Sequence, residues 1–186
     1  MNSYIVIGCI ILVIFLISIL FIKTYNKLIK LRNQVKDQWS QVDVQLKKRF
    51  DLIPNIVETV KGYAKHEQET LISVIDARNN AISAKTLNAE MDANNQLSES
   101  LNKLFALSES YPELKSDGNF KDLQDNLKEV ENKIAYARQF YNDSVLKYKN
   151  EIETFPTVLI ANMLGFKQEQ FFEVTNNEKE NVIVHF

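Results

Sequence analysis

Residues 38–63 read QWSQVDVQLKKRFDLIPNIVETVKGY, and this stretch decides the fold. Its apolar side chains recur every three or four positions, which predicts one buried face of a helix. The full stripe consists of Leu28, Leu31, Val35, Trp39, Val42, Leu46, Phe50, Ile53, Val57 and Val60. Because it keeps its phase through Pro54, we expect a helix over residues 25–62 that is kinked at Pro54 and capped by Gly62. A full chain reversal at Pro54 is the alternative.

An uncharged apolar run precedes this helix at residues 4–22. As a helix it would be about 28 Å long, close to the roughly 30 Å hydrocarbon core of a bilayer. A secretory signal peptide would show basic residues before the run and small residues at a cleavage site, and the sequence has neither there. We therefore predict a single-pass transmembrane anchor at residues 1–22 that contacts the lipid bilayer through residues 4–22.

Basic residues follow the apolar run, whereas residues 1–3 carry none. They are Lys23, Lys27, Lys30, Arg32 and Lys36. The positive-inside rule then predicts a cell-membrane protein with its N-terminus outside and its C-terminal domain in the cytoplasm. The alternative is a domain exported behind an uncleaved anchor.

The remaining chain predicts an all-α fold, in which the transmembrane helix is followed by an up-and-down antiparallel four-helix bundle with long helices over residues 23–165. Only four glycines and three prolines interrupt the 186 residues, and apolar periodicity marks the helices. After the first, they are expected at residues 67–84, 89–110 and 119–155, with a loop at 112–119 and a short turn at 157–164 capped by Gly165. A C-terminal tail is expected at residues 166–186. Its apolar patches, Phe171-Phe172 and residues 182–186, either fold back on the bundle or bind a partner, and fold-back is favoured for Phe171-Phe172 because this pair lies close to Gly165-Phe166.

Several motifs together resemble the LemA family of bacterial membrane proteins. The strongest is VDVQLKKRFDLIPNIVETVKGYAKHE at residues 42–67, in which Lys48 stands where the family often has arginine. Supporting motifs include Tyr25-Asn26, Ala77-Arg78, Tyr111-Pro112-Glu113-Leu114-Lys115, Glu131-Asn132-Lys133-Ile134-Ala135, Ala137-Arg138, Tyr141-Asn142, Phe155-Pro156, Gly165-Phe166 and Phe172-Glu173. The resemblance covers nearly the whole chain. It implies a single-span protein with a helical-bundle soluble part, in a family with no established enzymatic activity.

The residue types needed for common chemistries are scarce. The 22 basic and 24 acidic residues nearly balance, which argues against a nucleic-acid partner. The one cysteine, Cys9, excludes internal disulfides and cysteine metal sites. Neither His66 nor His185 has a glutamate three residues upstream, as a dimetal site in a helical bundle requires. We therefore predict no catalytic, cofactor-binding or metal site, and no enzyme.

Charged residues on or beside the apolar stripes are the candidate functional residues. They are Asp43, Lys47, Lys48, Arg49, Asp51, Glu58, Arg78, Glu131 and Arg138. The simpler interpretation is that they form interhelical ion pairs that set the register of the bundle, and the alternative is a polar groove for a partner. The sequence predicts a scaffold or interaction module that binds an unidentified protein partner at the cytoplasmic membrane face, with no oligomeric state specified. The alternative is a regulatory subunit of a membrane-bound enzyme such as a membrane peptidase.

Overall fold

A computed structural model of the chain describes residues 2–172, without the side chain of Asn2, and every regular element in this range is helical. The helices are α1 (Asn2–Tyr63), α2 (Gln68–Ser83), α3 (Leu87–Leu107), α4 (Pro112–Ser116), α5 (Gly118–Glu153) and α6 (Thr157–Met163), with a 3₁₀ turn at Ser108–Ser110. The all-α prediction is confirmed, whereas the up-and-down arrangement stays a prediction. The apolar patch predicted at residues 182–186 lies outside the described residues.

Helix α1 runs without interruption from Asn2 to Tyr63 and contains Pro54. The chain therefore does not reverse at Pro54, because buried side chains on both sides of the proline, Ile53 and Val57 among them, stay in one helical phase. The predicted cap at Gly62 is wrong. The chain instead leaves the helix through a turn in which the Glu67 amide donates to the Ala64 carbonyl at 3.1 Å, and this turn needs no left-handed residue.

The loop predicted at residues 112–119 is also wrong, because Pro112–Ser116 forms the short helix α4. Proline is tolerated at the first position of a helix, where the amide it lacks would have had no helical partner. Leu114 is fully buried and fixes this turn on the core. Helix α3 ends at Leu107, earlier than the predicted residue 110, and continues as the 3₁₀ turn.

The chain forms two compact units. Of the described residues, the terminal unit comprises residues 2–39 and Phe140–Phe171. The central unit comprises Ser40–Gln139 and Phe172. The predicted division into an anchor, a bundle and a tail stays a prediction.

The first part of α1 and the last part of α5 run antiparallel in the terminal unit. Lys27 Nζ lies 2.6 Å from Glu151 Oε2, and the rings of Trp39 and Tyr141 meet edge-on at 5.4 Å between centroids. Numbering thus rises along one helix while it falls along the other. The buried side chains of these two helical stretches include Leu28, Val35, Tyr141, Val145, Tyr148 and Ile152.

Helix α6 ends in a glycine cap. Gly165 has a φ of 72°, a left-handed conformation that glycine adopts without a side-chain clash. The Phe166 amide donates to the Ala161 carbonyl at 3.0 Å, and the Gly165 amide donates to that of Asn162 at 3.3 Å. This pair of bonds is the Schellman motif, so the cap predicted at Gly165 is confirmed. The reversal brings the Phe166 ring against Tyr25, at 6.2 Å between centroids.

The apolar N-terminal part of α1 is exposed along its length. Among residues 2–172, α1 is the one helix that is long and apolar enough to cross a membrane, judged by length and composition. Its large side chains, such as Ile11 and Phe15, are more than half exposed. From Leu28 onward the same helix buries one face.

The central unit has a continuous apolar core contributed by α1 to α5. Its largest fully buried members include Ile53, Leu97, Leu104, Leu114 and Phe120. Phe172, one of the two aromatic residues for which fold-back was predicted, is buried in this unit. The charged groups described next lie among these helices.

Candidate functional site

Three polar side chains meet inside the central unit, and we call them the polar layer: Arg49 of α1, Ser98 of α3 and Glu131 of α5. Arg49 is only 2% exposed, and its Nη1 lies 3.1 Å from Glu131 Oε2. Its Nη2 donates to Ser98 Oγ at 2.7 Å, while Ser98 Oγ–H faces both the Asn94 carbonyl at 3.1 Å and Glu131 Oε1 at 3.4 Å. The layer therefore joins three helices.

Burial dominates the electrostatics of Arg49. It lowers the pKa of the guanidinium from its ordinary value, because a desolvated cation is disfavoured. The carboxylate of Glu131 opposes this shift, and the positive charge of Arg138 adds to it. Since arginine stays protonated in proteins, the layer holds a buried cation whose counter-charge is a half-exposed carboxylate. This geometry is that of an interhelical ion pair, which was the simpler interpretation of these residues.

Arg78 of α2 performs a different task, because its Nε donates to the backbone carbonyl of Phe50 at 2.8 Å. Residue 50 lies four positions before Pro54, so its carbonyl would normally accept the amide that proline lacks. Arg78 supplies a donor to the carbonyl that Pro54 leaves without its helical partner. The interaction holds α2 against α1 beside the proline.

The other predicted residues lie elsewhere in the central unit, and all of them except the half-buried Arg138 are exposed. Arg138 lies over the ring of Phe172, 5.2 Å from its centroid. Lys47 pairs with Asp51 at 2.8 Å within α1. Glu58 pairs with Lys61 at 3.3 Å, and Lys48 is exposed. Exposed pairs of this kind contribute about 0–1 kcal/mol each, so they do not determine the fold.

Asp43 of α1 and Glu90 of α3 both line a small cavity of about 350 Å³. The pKa of Glu90 is raised from 4.5 to about 6, mainly by burial and also by the negative charge of Asp43, while the positive charge of Arg138 opposes the shift. Burial also raises the pKa of Asp43. Both carboxyl groups therefore hold protons more tightly than exposed ones.

Sequence reasoning missed the polar residues of α3. Asn94 is 1% exposed and donates through Nδ2 to the Glu90 carbonyl at 2.8 Å, and Ser98 completes the polar layer. Both lie in phase with Leu97 and Leu101 on the buried face. Their position inside an apolar stripe was the signal in the sequence that could have identified Asn94 and Ser98. Glu90, one helical turn before Asn94, lies on the same face of α3.

An apolar groove of about 620 Å³ opens between α1 and α2 in the central unit. Its floor includes the buried side chains Val57 and Leu71, whereas Ile72 and Ile75 line it and are 55% and 41% exposed. Among the predicted residues, Glu58 lines it, and Lys61 and Lys65 are the basic residues beside it. The groove combines apolar contact area with charges of both signs.

Relatives of this chain include magnetosome proteins. It is 24% identical over 175 residues to the magnetosome protein MamQ 2 of Paramagnetospirillum magneticum, and 23% identical over 174 residues to the magnetosome protein MamQ of Magnetospirillum gryphiswaldense. Each match covers 80% of this chain and 64% of the relative, so the chain spans less than two thirds of the length of these relatives.

Two further comparisons concern LemA. The chain is 23% identical over 176 residues to the protein LemA of Metamycoplasma hominis, a match that covers 92% of this chain and 79% of the relative. The model of the LemA family matches residues 38–186, which include the polar layer, the groove and the stretch around Pro54. The chain therefore belongs to the LemA family.

Proposed function

We propose that this protein is a membrane-tethered helical interaction module, with α1 crossing the bilayer once through residues 4–22 and the rest of the chain binding a protein partner in the cytoplasm. The carrying observation is the contrast within α1: side chains such as Ile11 and Phe15 are exposed, whereas Leu28 and Val42 are fully buried. A contiguous apolar surface of this size on one helix is unfavourable in water and favourable in lipid. The basic residues that follow residue 22 support the cytoplasmic placement.

The soluble part of the module is proposed to be a four-helix bundle of α1, α2, α3 and α5. Arg49 links α1 to α3 and α5, and Arg78 links α2 to α1. Helices α2 and α3 are joined by a short connection and pack on each other. These links support a bundle whose charged residues fix the register of its helices and whose groove between α1 and α2 is free to receive the partner. The regulatory-subunit alternative stays a prediction, since no contact described here favours it.

Cysteine accessibility tests the membrane topology. In a Cys9→Ser background, one single-cysteine variant carries Ser3→Cys and a second carries Ala106→Cys at an exposed position of α3. We expect a membrane-impermeant maleimide to label residue 3 in intact cells and residue 106 only after permeabilisation. The reverse pattern contradicts the orientation, and labelling of both residues in intact cells contradicts a single crossing.

Charge insertion tests the span itself. We expect Leu12→Arg combined with Leu16→Arg to abolish carbonate-resistant membrane association, because each arginine at the centre of a span costs about 3 kcal/mol on insertion scales. Leu12→Ala with Leu16→Ala is the matched control and should remain in the membrane. Equal extraction of both double variants would contradict the proposed anchor.

Site-specific photo-crosslinking tests the interaction role. A photoreactive residue at Ile72 lies in the groove, and one at Ile82 of the same helix is similarly exposed but outside it. We expect Ile72 to yield one crosslinked protein in intact cells that Ile82 does not yield, and Ile75→Asp to abolish this crosslink. If the two positions crosslink alike, or neither does, the groove is not the partner-binding surface.

A further inference from the structure

The segment that follows α5 has an unusual surface. Residues 154–166 read TFPTVLIANMLGF and contain no charged side chain. Within it, α6 packs through Thr157 and Ala161, which are 7% and 1% exposed, while Leu159 and Met163 are 63% and 67% exposed. Phe155 is 75% exposed. Helix α6 therefore turns Leu159 and Met163 away from the protein, while Val158 and Ile160 are half-buried. Large apolar side chains on the exposed face depart from the usual pattern of a helix that faces water.

This surface lies beside the end of the apolar run of α1, within the terminal unit. Glu151 of α5 pairs with Lys27 of α1, and the two helices are antiparallel. Helix α5 continues for only two residues beyond Glu151 and ends at Glu153, which is about 3 Å closer to the apolar run than the Lys27–Glu151 pair. The segment of residues 154–166 begins directly after this end. The Phe166 contact with Tyr25 holds the far end of the segment at the same part of α1.

Charge near the segment is also suited to a membrane. Lys23 and Lys30 are exposed on α1, and Lys167 follows the segment, which itself contains no carboxylate. Of the two carboxylates that precede it, Glu151 pairs with Lys27 and Glu153 accepts a hydrogen bond from Gln168. Amphipathic elements at a bilayer interface combine an inserted apolar face with basic residues among the headgroups. The continuity of this apolar surface with residues 4–22 therefore favours lipid as its occupant over a separate protein.

We propose that Phe155, Leu159, Met163 and Leu164, which we call the α6 patch, insert into the interfacial layer of the bilayer that α1 spans. The inference rests on the proposed function, because it requires that α1 crosses this bilayer. The α6 patch is then a second membrane contact that holds the terminal unit against the cytoplasmic surface. It buries side chains about 5–10 Å into the boundary between headgroups and acyl chains, the depth typical of interfacial helices.

Fluorescence quenching by lipid tests the α6 patch in the full-length protein. In a Cys9→Ser background, single cysteines at Leu159 and Met163 carry an environment-sensitive probe, and the protein is reconstituted into phosphatidylcholine–phosphatidylglycerol liposomes with spin-labelled lipids as quenchers. Leu146, an exposed leucine of α5 on the other side of Glu151, is the matched control, and Leu16 reports on the span. We expect quenching at residues 159 and 163 at least about threefold stronger than at residue 146, with strong quenching at residue 16.

The possible outcomes separate the two proposals. If residue 16 is quenched but residues 159 and 163 are quenched no more strongly than residue 146, the proposal for the α6 patch is overturned. The proposed anchor is unaffected by this result. Absence of quenching at residue 16 contradicts the anchor, and the α6 patch as stated fails with it. Repeating the measurement at tenfold lower protein-to-lipid ratio distinguishes lipid from a second copy: unchanged strong quenching supports lipid, whereas quenching at residues 159 and 163 that appears only on dilution identifies a second copy as the occupant and overturns the proposal. Circular dichroism of each variant checks that the helices are intact.

Discussion

The two compact units place residue types in opposite environments. The terminal unit leaves large apolar side chains exposed, with Phe155 at 75%, whereas the central unit buries a guanidinium, with Arg49 at 2%. Burying an unpaired charge or exposing an apolar patch is unfavourable in water, so each unit needs a specific compensation. In the central unit the compensation is internal, because Glu131 and Ser98 contact Arg49. In the terminal unit the exposed apolar side chains have no such cover among residues 2–172, and we propose that lipid provides it.

The largest expected difference between the two units is in the free energy of unfolding after a phenylalanine-to-alanine substitution in each. Phe120→Ala removes a side chain that is 1% exposed and should lower the free energy of unfolding by about 3–5 kcal/mol, because it leaves a cavity. Phe155→Ala should change it by less than about 0.5 kcal/mol in detergent, since the ring contacts little protein. Urea unfolding of the full-length protein, followed by circular dichroism, measures both. Equal losses would contradict the assignment of Phe155 to an external contact.

The polar layer should respond asymmetrically to removal of either charge. Glu131→Gln leaves the buried Arg49 cation without a counter-charge beside Arg138 and should cost about 2 kcal/mol, less than a fully buried pair because Glu131 is half exposed. Arg49→Met leaves a carboxylate that water can reach, so it should cost about 1 kcal/mol or less.

The double variant with methionine at both positions of this pair should lie close to the wild type in stability, since an apolar replacement of a buried pair is often neutral. The same urea unfolding measures all three variants. A larger loss for Arg49→Met than for Glu131→Gln would contradict this asymmetry and would show that the hydrogen bonds of the guanidinium, including the one to Ser98, outweigh the charge of Glu131.

Loss of the contact between Arg78 and Phe50 should lower the free energy of unfolding by a smaller amount, and this amount should depend on Pro54. Arg78→Met should cost about 1–2 kcal/mol, because the carbonyl of Phe50 loses the donor that replaces the missing amide of Pro54. In a Pro54→Ala background the helical amide is restored, so the same substitution should cost about 0.5 kcal/mol or less. A double-mutant cycle measures the coupling. No coupling would mean that Arg78 acts independently of the proline.

The smallest expected effect is the pH dependence due to Glu90. Its pKa is raised from the ordinary 4.5 to about 6 in the folded protein, so folding favours the protonated carboxyl. The stability this group contributes is fully present below about pH 4.5 and is lost as the pH rises through about 6. Glu90→Gln should therefore match the wild type at low pH and be more stable above pH 6. The difference between the two melting-temperature curves from pH 4 to 7.5 isolates Glu90 from Asp43.

Much of the fold could be predicted because it depends on local patterns. Apolar periodicity marked the helices, and the glycine at residue 165 marked the end of α6. The errors came where a local rule has two outcomes. A proline can end a helix or begin one, and Pro112 begins α4. A glycine can cap a helix or lie within its last turn, as Gly62 does.

The contacts of the candidate residues depend on tertiary packing and were less accessible. Arg49 and Glu131 could both be selected from their positions beside apolar stripes, but the bond to Ser98 depends on which face α3 presents. The orphaned carbonyl of Phe50 follows from Pro54 by counting, whereas its donor comes from Arg78 on another helix. The α6 patch was missed because exposure of Leu159 and Met163 is a property of packing, and their residue type alone predicts burial.

The edge-on contact of Trp39 with Tyr141 has a practical consequence. Trp39 is the one tryptophan in the sequence, so ultraviolet excitation at its absorption edge reports on a single location. Its ring centroid lies 5.4 Å from that of Tyr141, a separation at which excitation of the tyrosine passes to the tryptophan. The emission of the native protein is thus an intrinsic, label-free readout of whether α1 and α5 remain in contact in the terminal unit.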